Sequence, residues 1–462
     1  MSWCRIFPDF PDGGSPSGCG ALQEKMRKSR KHRRRKYDGW YKKREYIHFD
    51  PAISQSKAKK IVSDPTKVKR HSFWPFLYFE QITNRYWQGK KDKVRPIMYA
   101  AHADAHIYAY YGMEISKNYE AKIKALKIDD CITAYRELGK SNINFAKEVF
   151  DYIEKQKNCT VLCFDVEKFF DTLDHEYLKR RWQNVIQKRK LPDDHFKVFR
   201  SLTKHAHIDF RKLNPILRKA KISTTRLYTA KRLCLPREFR EVVRPSGIIE
   251  TNPHCFGIPQ GSPISGLLSN IYMLNFDKWL SKYVNKNGGL YRRYADDILI
   301  VCPSDASQQI KKYIKKFTRR NIKLRLNSDK TEEITFVRGR AQNRIRGNAT
   351  IENPCVQYLG FEYDGNVIRI RPSSMARYYR KMRRGTLAAA LQTVELEWDY
   401  YPRRRIYSGY SHFGIGNFVS YAYRASEIMY PKGKRSPIRR QLRNHIEKIE
   451  KSIDWAEKRT MK

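Results

Sequence analysis

The stretch YRRYADDILIV, residues 291–301, decides how the rest of the chain is read. Two adjacent acids, Asp296 and Asp297, stand between an aromatic-basic run and four consecutive aliphatic residues, Ile298 to Val301. The aliphatic run has the length and β-branching of a buried strand. Two like charges at the mouth of such a strand repel each other and resist desolvation, so the arrangement needs something cationic to answer it. A tight turn between two strands would bring both carboxylates to a hairpin tip.

Composition narrows the partner. A chain of 462 residues predicts two or three packed lobes rather than one small core. Lys and Arg number 94 against 47 Asp and Glu, a formal charge of +47. A solvated basic surface explains a few surplus charges but not a twofold excess, so a polyanion, nucleic acid above all, is expected. No apolar run approaches the ~20 residues that span a bilayer, and the basic residues are spread along the chain instead of forming one amphipathic anchor, so no membrane partner is expected. The nine cysteines contain no CxxC pair. Cys159 and Cys163 flank an apolar run and read as buried thiols, which supports neither zinc nor disulfides and fits a reducing cytosol.

Residues 1–20 are rich in Pro, Gly and Ser and read as disordered, and Met26 offers an alternative start. Within a basic arm over 21–60, the tract 26–44 interleaves Lys and Arg with Tyr37, Trp40 and Tyr41. It reads either as a solvated tail or, better, as an arm holding RNA phosphates on its cations and bases on its aromatics. From about 60 to 157 the pattern is mostly helical, and TVLCF (160–164) then forms a short apolar strand ending in Asp165. The segment 179–250 is irregular, whereas 291–301 and 356–371 read as strands. The last ninety residues are helical and basic. There Ser436 and Pro437 fit an N-cap and first turn, followed by one apolar stripe of Ile438, Leu442, Ile446, Ile449 and Ile453.

Three segments carry groups that a metal-dependent phosphoryl transfer needs. In VLCFDVEKFFDTLDHEYLKRRW (161–182) a strand delivers Asp165, and Asp174 can cap the helix that follows. In FGIPQGSPISGLLSNIYMLNFDKWL (256–280) a glycine-containing loop leads into a helix with Ser262 as N-cap and Pro263 in its first turn, letting backbone amides approach a nucleotide. The third is the opening stretch. With Asp165 on a neighbouring strand, three carboxylates would surround one point, and hard oxygen ligands with open positions suit Mg²⁺.

Order and spacing together make the pattern specific, and the chain resembles a reverse transcriptase of the bacterial type. FDVEKFFD resembles the family's first palm motif, GIPQGSPIS its second, YADD its third, LNSDKTEE (326–333) its fourth and QYLGFEYDG (357–365) its fifth. KVRPIMYAAHADAHIY (93–108) is a looser match to the finger motifs. The resemblance covers roughly 85–371. It implies an α+β right-hand polymerase, with fingers and an antiparallel palm over 61–371 and a helical thumb over 372–462. It further implies that Asp165, Asp296, Asp297 and the Val166 carbonyl hold two Mg²⁺ ions, with Mn²⁺ an alternative, and that Lys330 protonates the departing pyrophosphate. Phe170 would exclude a ribose 2′-OH, although Phe169 or Phe170 alike would serve core packing. Gln260 and Gly261 would face the incoming dNTP, Lys93 and Arg95 would grip its triphosphate, and Tyr358, Leu359 and Gly360 would support the primer end.

Among bacterial relatives, group II intron enzymes carry a C-terminal Cys/His metal segment, and retron enzymes carry an Asn-Ala-x-x-His element before the second motif and a Val-Thr-Gly element near the thumb. Neither pattern occurs here. AYRELGKSNINFAKEVF (134–150) and GFEYDGNVIRIRPSSMARYYRKM (360–382) look most like the defence-associated "unknown group" enzymes. That resemblance implies antiphage defence, a noncoding RNA as template and scaffold, and a cDNA product; an oligomer is left open. Thumb residues such as Tyr378, Tyr379, Tyr410 and Tyr421 would stack on that RNA, though any single one reads equally as helix surface. A retron-like or intron-like enzyme, an RNA-dependent RNA polymerase and a non-catalytic RNA-binding scaffold are the alternatives. Phe170 speaks against the RNA polymerase, and the intact acids with Lys330 speak against the scaffold.

Overall fold

The computed structural model describes residues 39–83, 93–222, 231–430 and 436–460. In chain order, β1 (Phe76–Thr83) and β2 (Lys93–Tyr99) lead into helices α1 (His102–Ala125) and α2 (Asn142–Gln156). Next come β3 (Cys159–Asp165), α3 (His175–Val185), β4 (Ala206–Asp209), β5 (Glu250–Thr251) and α4 (Ser265–Lys286). The hairpin β6 (Leu290–Tyr294) and β7 (Asp297–Cys302) is followed by α5 (Ser307–Asn321), β8 (Glu332–Val337), β9 (Arg340–Arg346) and β10 (Ala349–Thr350). Three short strands, β11 (Val356–Tyr358), β12 (Phe361–Tyr363) and β13 (Ile368–Ile370), precede α6 (Pro372–Glu395), α7 (Arg403–Tyr410), α8 (Phe418–Met429), α9 (Pro437–Gln441) and α10 (His445–Thr460).

The central sheet runs β10-β9-β8-β3-β7-β6, with antiparallel neighbours throughout. Strand alternation divides its side chains between two cores. Leu162, Phe164, Ile298 and Ile300 face one core with α3, α4 and α5, while Val161, Leu299, Val301, Ile334 and Phe336 face another with α2, the β11–β13 sheet and α8. Strand β7 is covered on both sides, which is why its sequence is aliphatic without alternation.

A second sheet runs β2-β1-β4-β5, its strands drawn from before and after β3. Helix predominates between 60 and 157 as expected, but the strands β1 and β2 interrupt it where the sequence reading placed none. FLYFEQIT and KVRPIMY lack clean alternation because Phe79, Ile82 and Val94 are exposed, and Pro96 is tolerated because β2 is an edge strand.

The described end of the basic arm also differs from expectation. Trp40 and Tyr41 are buried in the larger core, with the Tyr41 ring stacked on His106 at 4.8 Å and the Tyr41 hydroxyl donating to the Ile53 carbonyl. They pack the arm onto α1 and are not offered to bases; Tyr37 and residues 1–38 lie outside the described residues. At the other end, Ser436 caps α9 as expected, but the helix breaks after Gln441 and the apolar stripe is split. Ile438 and Leu442 pack under the β11–β13 sheet, whereas Ile449 and Ile453 pack against α6. Tyr378 is likewise core, its hydroxyl donating to the Tyr410 carbonyl and its ring stacked on Phe418.

Candidate active site

Strand β3 ends at Asp165, which stands in register opposite Asp297, the first residue of β7. Tyr294 pairs with the same Asp297 from β6, so Ala295 and Asp296 form a two-residue hairpin turn. Ala295 adopts a left-handed backbone, φ 57°, which costs an L-residue about 1–2 kcal/mol. The conformation is held from below. Arg293 donates through Nη1 to the Ala295 carbonyl at 3.0 Å and to Asn270 Oδ1 at 3.1 Å. Its Nε and Nη2 form a two-pronged pair with Asp277 at 2.7 and 2.6 Å, and the Tyr291 hydroxyl donates to the same carboxylate at 2.6 Å. Arg293 and Asp277 are both wholly buried.

Above this support the carboxylates crowd together. Asp297 is open to the cleft by surface area but sits in a recess of about 180 Å³ walled by Cys163, Phe164, Tyr358, Leu359, Gly360 and Arg371. Desolvation, then the charges of Asp296 and Asp165, push its carboxyl up to about 7, against smaller opposing contributions from Arg371 and Lys330. The Lys330 ammonium donates to the Asp165 carboxylate, and the Lys330 backbone amide is fixed by the Asn327 side chain. Val166 bridges Leu326, while the flanking residues 165 and 167 exchange backbone hydrogen bonds with 327 and 325. In such a non-hydrogen-bonded pair the Val166 amide and carbonyl point to the opposite edge, toward β7 and its turn.

Among the described residues no three acidic, His or Cys side chains are drawn tightly enough to make a ready-formed metal cage, and Asp165 is turned to Lys330. The donor chemistry nonetheless fits a hard divalent cation. The ligands are carboxylate and carbonyl oxygens, and the mutual repulsion registered in Asp297 is what such a cation relieves.

The second motif lies against the finger strand. The Met98 amide donates to the Gln260 carbonyl at 2.9 Å, and a Cβ at Gly261 would come 2.5 Å from the Met98 carbonyl oxygen. Gly261 has φ +119°, so only glycine suits it on both counts. This anchoring corrects the expected helix start. Ser262 and Pro263 lie in a turn, and α4 begins at Ser265, whose hydroxyl donates to the Pro259 carbonyl at 2.7 Å. With residues 260–261 held on β2, the backbone cannot enter the helix earlier. Phe169 takes the core position and Phe170 is left half-buried, its carbonyl accepting from the Ile258 amide. Arg95 is exposed on β2 and shares a strand face with Ile97, whose side chain borders Gly261. Lys93 opens the same strand, but its side chain lies outside the described residues.

Tyr358, Leu359 and Gly360 form the β11–β12 turn, with Leu359 at φ 46° and Gly360 at φ 93°. The Asn142 side chain donates to the Leu359 carbonyl at 3.0 Å, and the Arg371 amide donates to Gly360. The turn therefore borders the recess of Asp297, and Tyr358 is itself buried.

Sequence reasoning missed the Arg293–Asp277 pair. Its one sequence signal is Asp277, the only acid in α4, spaced with Met273, Leu274 and Leu280 on the apolar side of that helix, where an acid requires a buried partner. It also missed Tyr135, whose ring covers Gly266 so closely that a Cβ there would lie 2.7 Å away. Together with Tyr294, Asn142 and Leu359, Tyr135 lines a cleft of about 630 Å³ beside the Ala295–Asp296 turn.

Comparison with known proteins follows this geometry. The family profile "Reverse transcriptase (RNA-dependent DNA polymerase)" matches residues 114–363, more than half of the chain. No curated protein matches the sequence. Similar solved structures include telomerase from Candida tropicalis without its C-terminal domain (11% identity, TM-score 0.39, covering 71% of this chain and 63% of that one). The apo telomerase of the same organism gives 11% identity and a TM-score of 0.43, covering 88% and 68%. Candida albicans telomerase with a fragment of telomeric RNA gives 11% and 0.39, covering 87% and 69%. The chain thus spans about two thirds of the length of these telomerases. On the profile match over more than half of its length, the chain, an α+β fold in which Asp165 meets Asp296 and Asp297 at one turn, belongs to the reverse transcriptase family, the RNA-dependent DNA polymerases.

Proposed function

We propose that this enzyme copies a partner noncoding RNA into cDNA in the bacterial cytoplasm, by two-metal nucleotidyl transfer, in defence against phage. The observation that carries the chemistry is the register pair Asp165–Asp297 with Asp296 beside it, and the resulting lift of the Asp297 carboxyl to about 7. The defence role rests on the resemblance of 134–150 and 360–382 to defence-associated enzymes.

Asp165, Asp296, Asp297 and the Val166 carbonyl would hold the ions, Mg²⁺ or Mn²⁺. When bound, such ions activate the primer 3′-OH and neutralise the leaving pyrophosphate. The chain's own residues supply position and proton control. Gln260 and Gly261 would face the incoming dNTP, and Phe170 would exclude a ribose 2′-OH. Arg95 and Lys93 would hold the triphosphate, and the Tyr358–Gly360 turn would hold the primer end beside Asp297. Lys330, freed from Asp165, would donate a proton to the departing pyrophosphate.

Primer extension on an RNA template tests this directly. The expected result is extension with dNTPs and its loss in Asp297→Ala. A clear preference for NTPs overturns the reading, as does an Asp297→Ala protein that still makes cDNA. Sequencing the RNA and DNA that co-purify from the host tests the template, and an unchanged phage sensitivity on deletion removes the defence role.

A further inference from the structure

The residues from Ser307 to Arg325 carry eight Lys and Arg and no acid. They comprise α5 and the loop that follows it. Ile310, Ile314 and Thr318 turn inward, and Phe317 stacks on Trp279 of α4 at 4.4 Å. Lys312, Lys315, Lys316, Arg319 and Arg320 are left on the outer face, all exposed. Two basic neighbours are already neutralised, Lys311 by Glu333 and Lys323 by Asp174. Among the described residues the five outer cations and Arg325 enter no ion pair. Where α5 meets the loop, a cleft of about 450 Å³ is lined by three cations, Lys315, Arg319 and Arg325, by the hydroxyl-bearing Thr318, Ser328 and Thr331, and by one acid, Glu167. Three cations against one acid leave the cleft net positive, which suits a phosphate group.

The position of this face separates it from the primer path. The primer-end turn and α8 pack on the face of the central sheet that carries Val161 and Leu299, whereas α5 packs on the opposite face with Leu162 and Ile300. A duplex lying at the β11–β12 turn therefore has the sheet between itself and α5. With 15 residues, α5 presents a straight row about 22 Å long.

We infer that the outer face of α5 is a second RNA-binding surface, which holds the phosphate backbone of structured RNA outside the copying cleft. This rests on the proposal that the enzyme works with a partner RNA, and it assigns that partner a place. The row of unpaired cations is broken by one exposed aromatic, Tyr313, whose ring packs edge-on against Tyr283 of α4, so the surface reads mainly backbone and should favour duplex segments of any sequence.

The test combines Lys312→Gln, Lys316→Gln, Arg319→Gln and Arg320→Gln in the full chain. Two probes are used: an RNA duplex too long to lie wholly in the cleft, and a short primer–template. Binding of the long duplex should weaken, and its salt dependence should become shallower by about three to four log units per log unit of salt. Between 50 and 200 mM salt the wild type would then lose roughly 10²-fold more affinity than the variant does. Extension of the short primer–template at low salt should be unchanged, and exchanging Lys for Arg and Arg for Lys at the four sites should preserve binding. An unchanged salt slope overturns the inference. So does an equal loss on both probes, which would assign α5 to the cleft, or a loss confined to anionic vesicles. If the wild type extends nothing, the polymerase proposal fails while the slope measurement still decides the surface.

Discussion

Two acid–base pairs stand at the same turn and are opposites. Asp277 and Arg293 lie beneath it, fully buried, joined by two short bonds and fixed further by Tyr291, Asn270 and the Ala295 carbonyl. Asp165 and Lys330 lie at its mouth, with side chains 19% and 41% exposed. In the closed pair neither charge has an alternative partner, so losing one strands the other in a dry core. In the open pair water and salt screen the attraction, which is worth about 0–1 kcal/mol. Asp165 can therefore exchange an ammonium for another cation at little cost. The buried pair builds the turn, and the exposed pair leaves it usable.

The sharpest way to break this contrast is to neutralise the mouth. Asp165→Asn or Asp297→Asn should reduce single-turnover extension by about 10³-fold or more, the scale expected when a principal electrostatic stabiliser is lost. Thermal stability should hold or rise, since like charges are relieved; a large fall in Tm would show the mouth to be structural. The reverse holds below the turn. Asp277→Asn or Arg293→Met should cost about 3–5 kcal/mol in urea unfolding, because each leaves its partner buried and unpaired. A cost under about 1 kcal/mol would erase the distinction.

Lys330→Gln sharpens it further, with an expected loss of about 10²-fold in kcat, little change in the KM for dNTP and almost none in stability. The smallest effect is on pH. Burial and two neighbouring acids raise Asp297, so below pH 7 the metal-free site holds a proton that a ligand must displace. The Mg²⁺ concentration for half-maximal extension should then rise by up to about tenfold one unit below that midpoint and be flat one unit above it. Asp296→Asn, if it retains measurable activity, should move the midpoint down, because one of the raising charges is gone.

The contrast also explains what the sequence disclosed. β3, the β6–β7 hairpin and the Asp174 cap were legible because their signals are local: an aliphatic run, a turn, an acid just before a helix. The partnership of Arg293 and Asp277 was not, because it depends on which face of β6 meets α4, and that follows only from assembly. Trp40 and Tyr41 misled for a similar reason. Their basic neighbours advertise solvent, whereas the cavity that receives them is made by α1, more than sixty residues away. The basic run over 307–325 went unremarked among so many basic residues, and its separation from the cleft emerges only when the two sides of the central sheet are assigned to different cores.

The contact between Gly261 and Met98 carries a mechanical consequence. Backbone lies on backbone there, locked by the Met98–Gln260 bond, with no side chain to slide or compress. The strand that bears Lys93 and Arg95 and the loop that would face the base are thus one rigid lever. Under the proposed roles of Lys93, Arg95, Gln260 and Gly261, a movement of that lever would tighten or release the triphosphate and base contacts together.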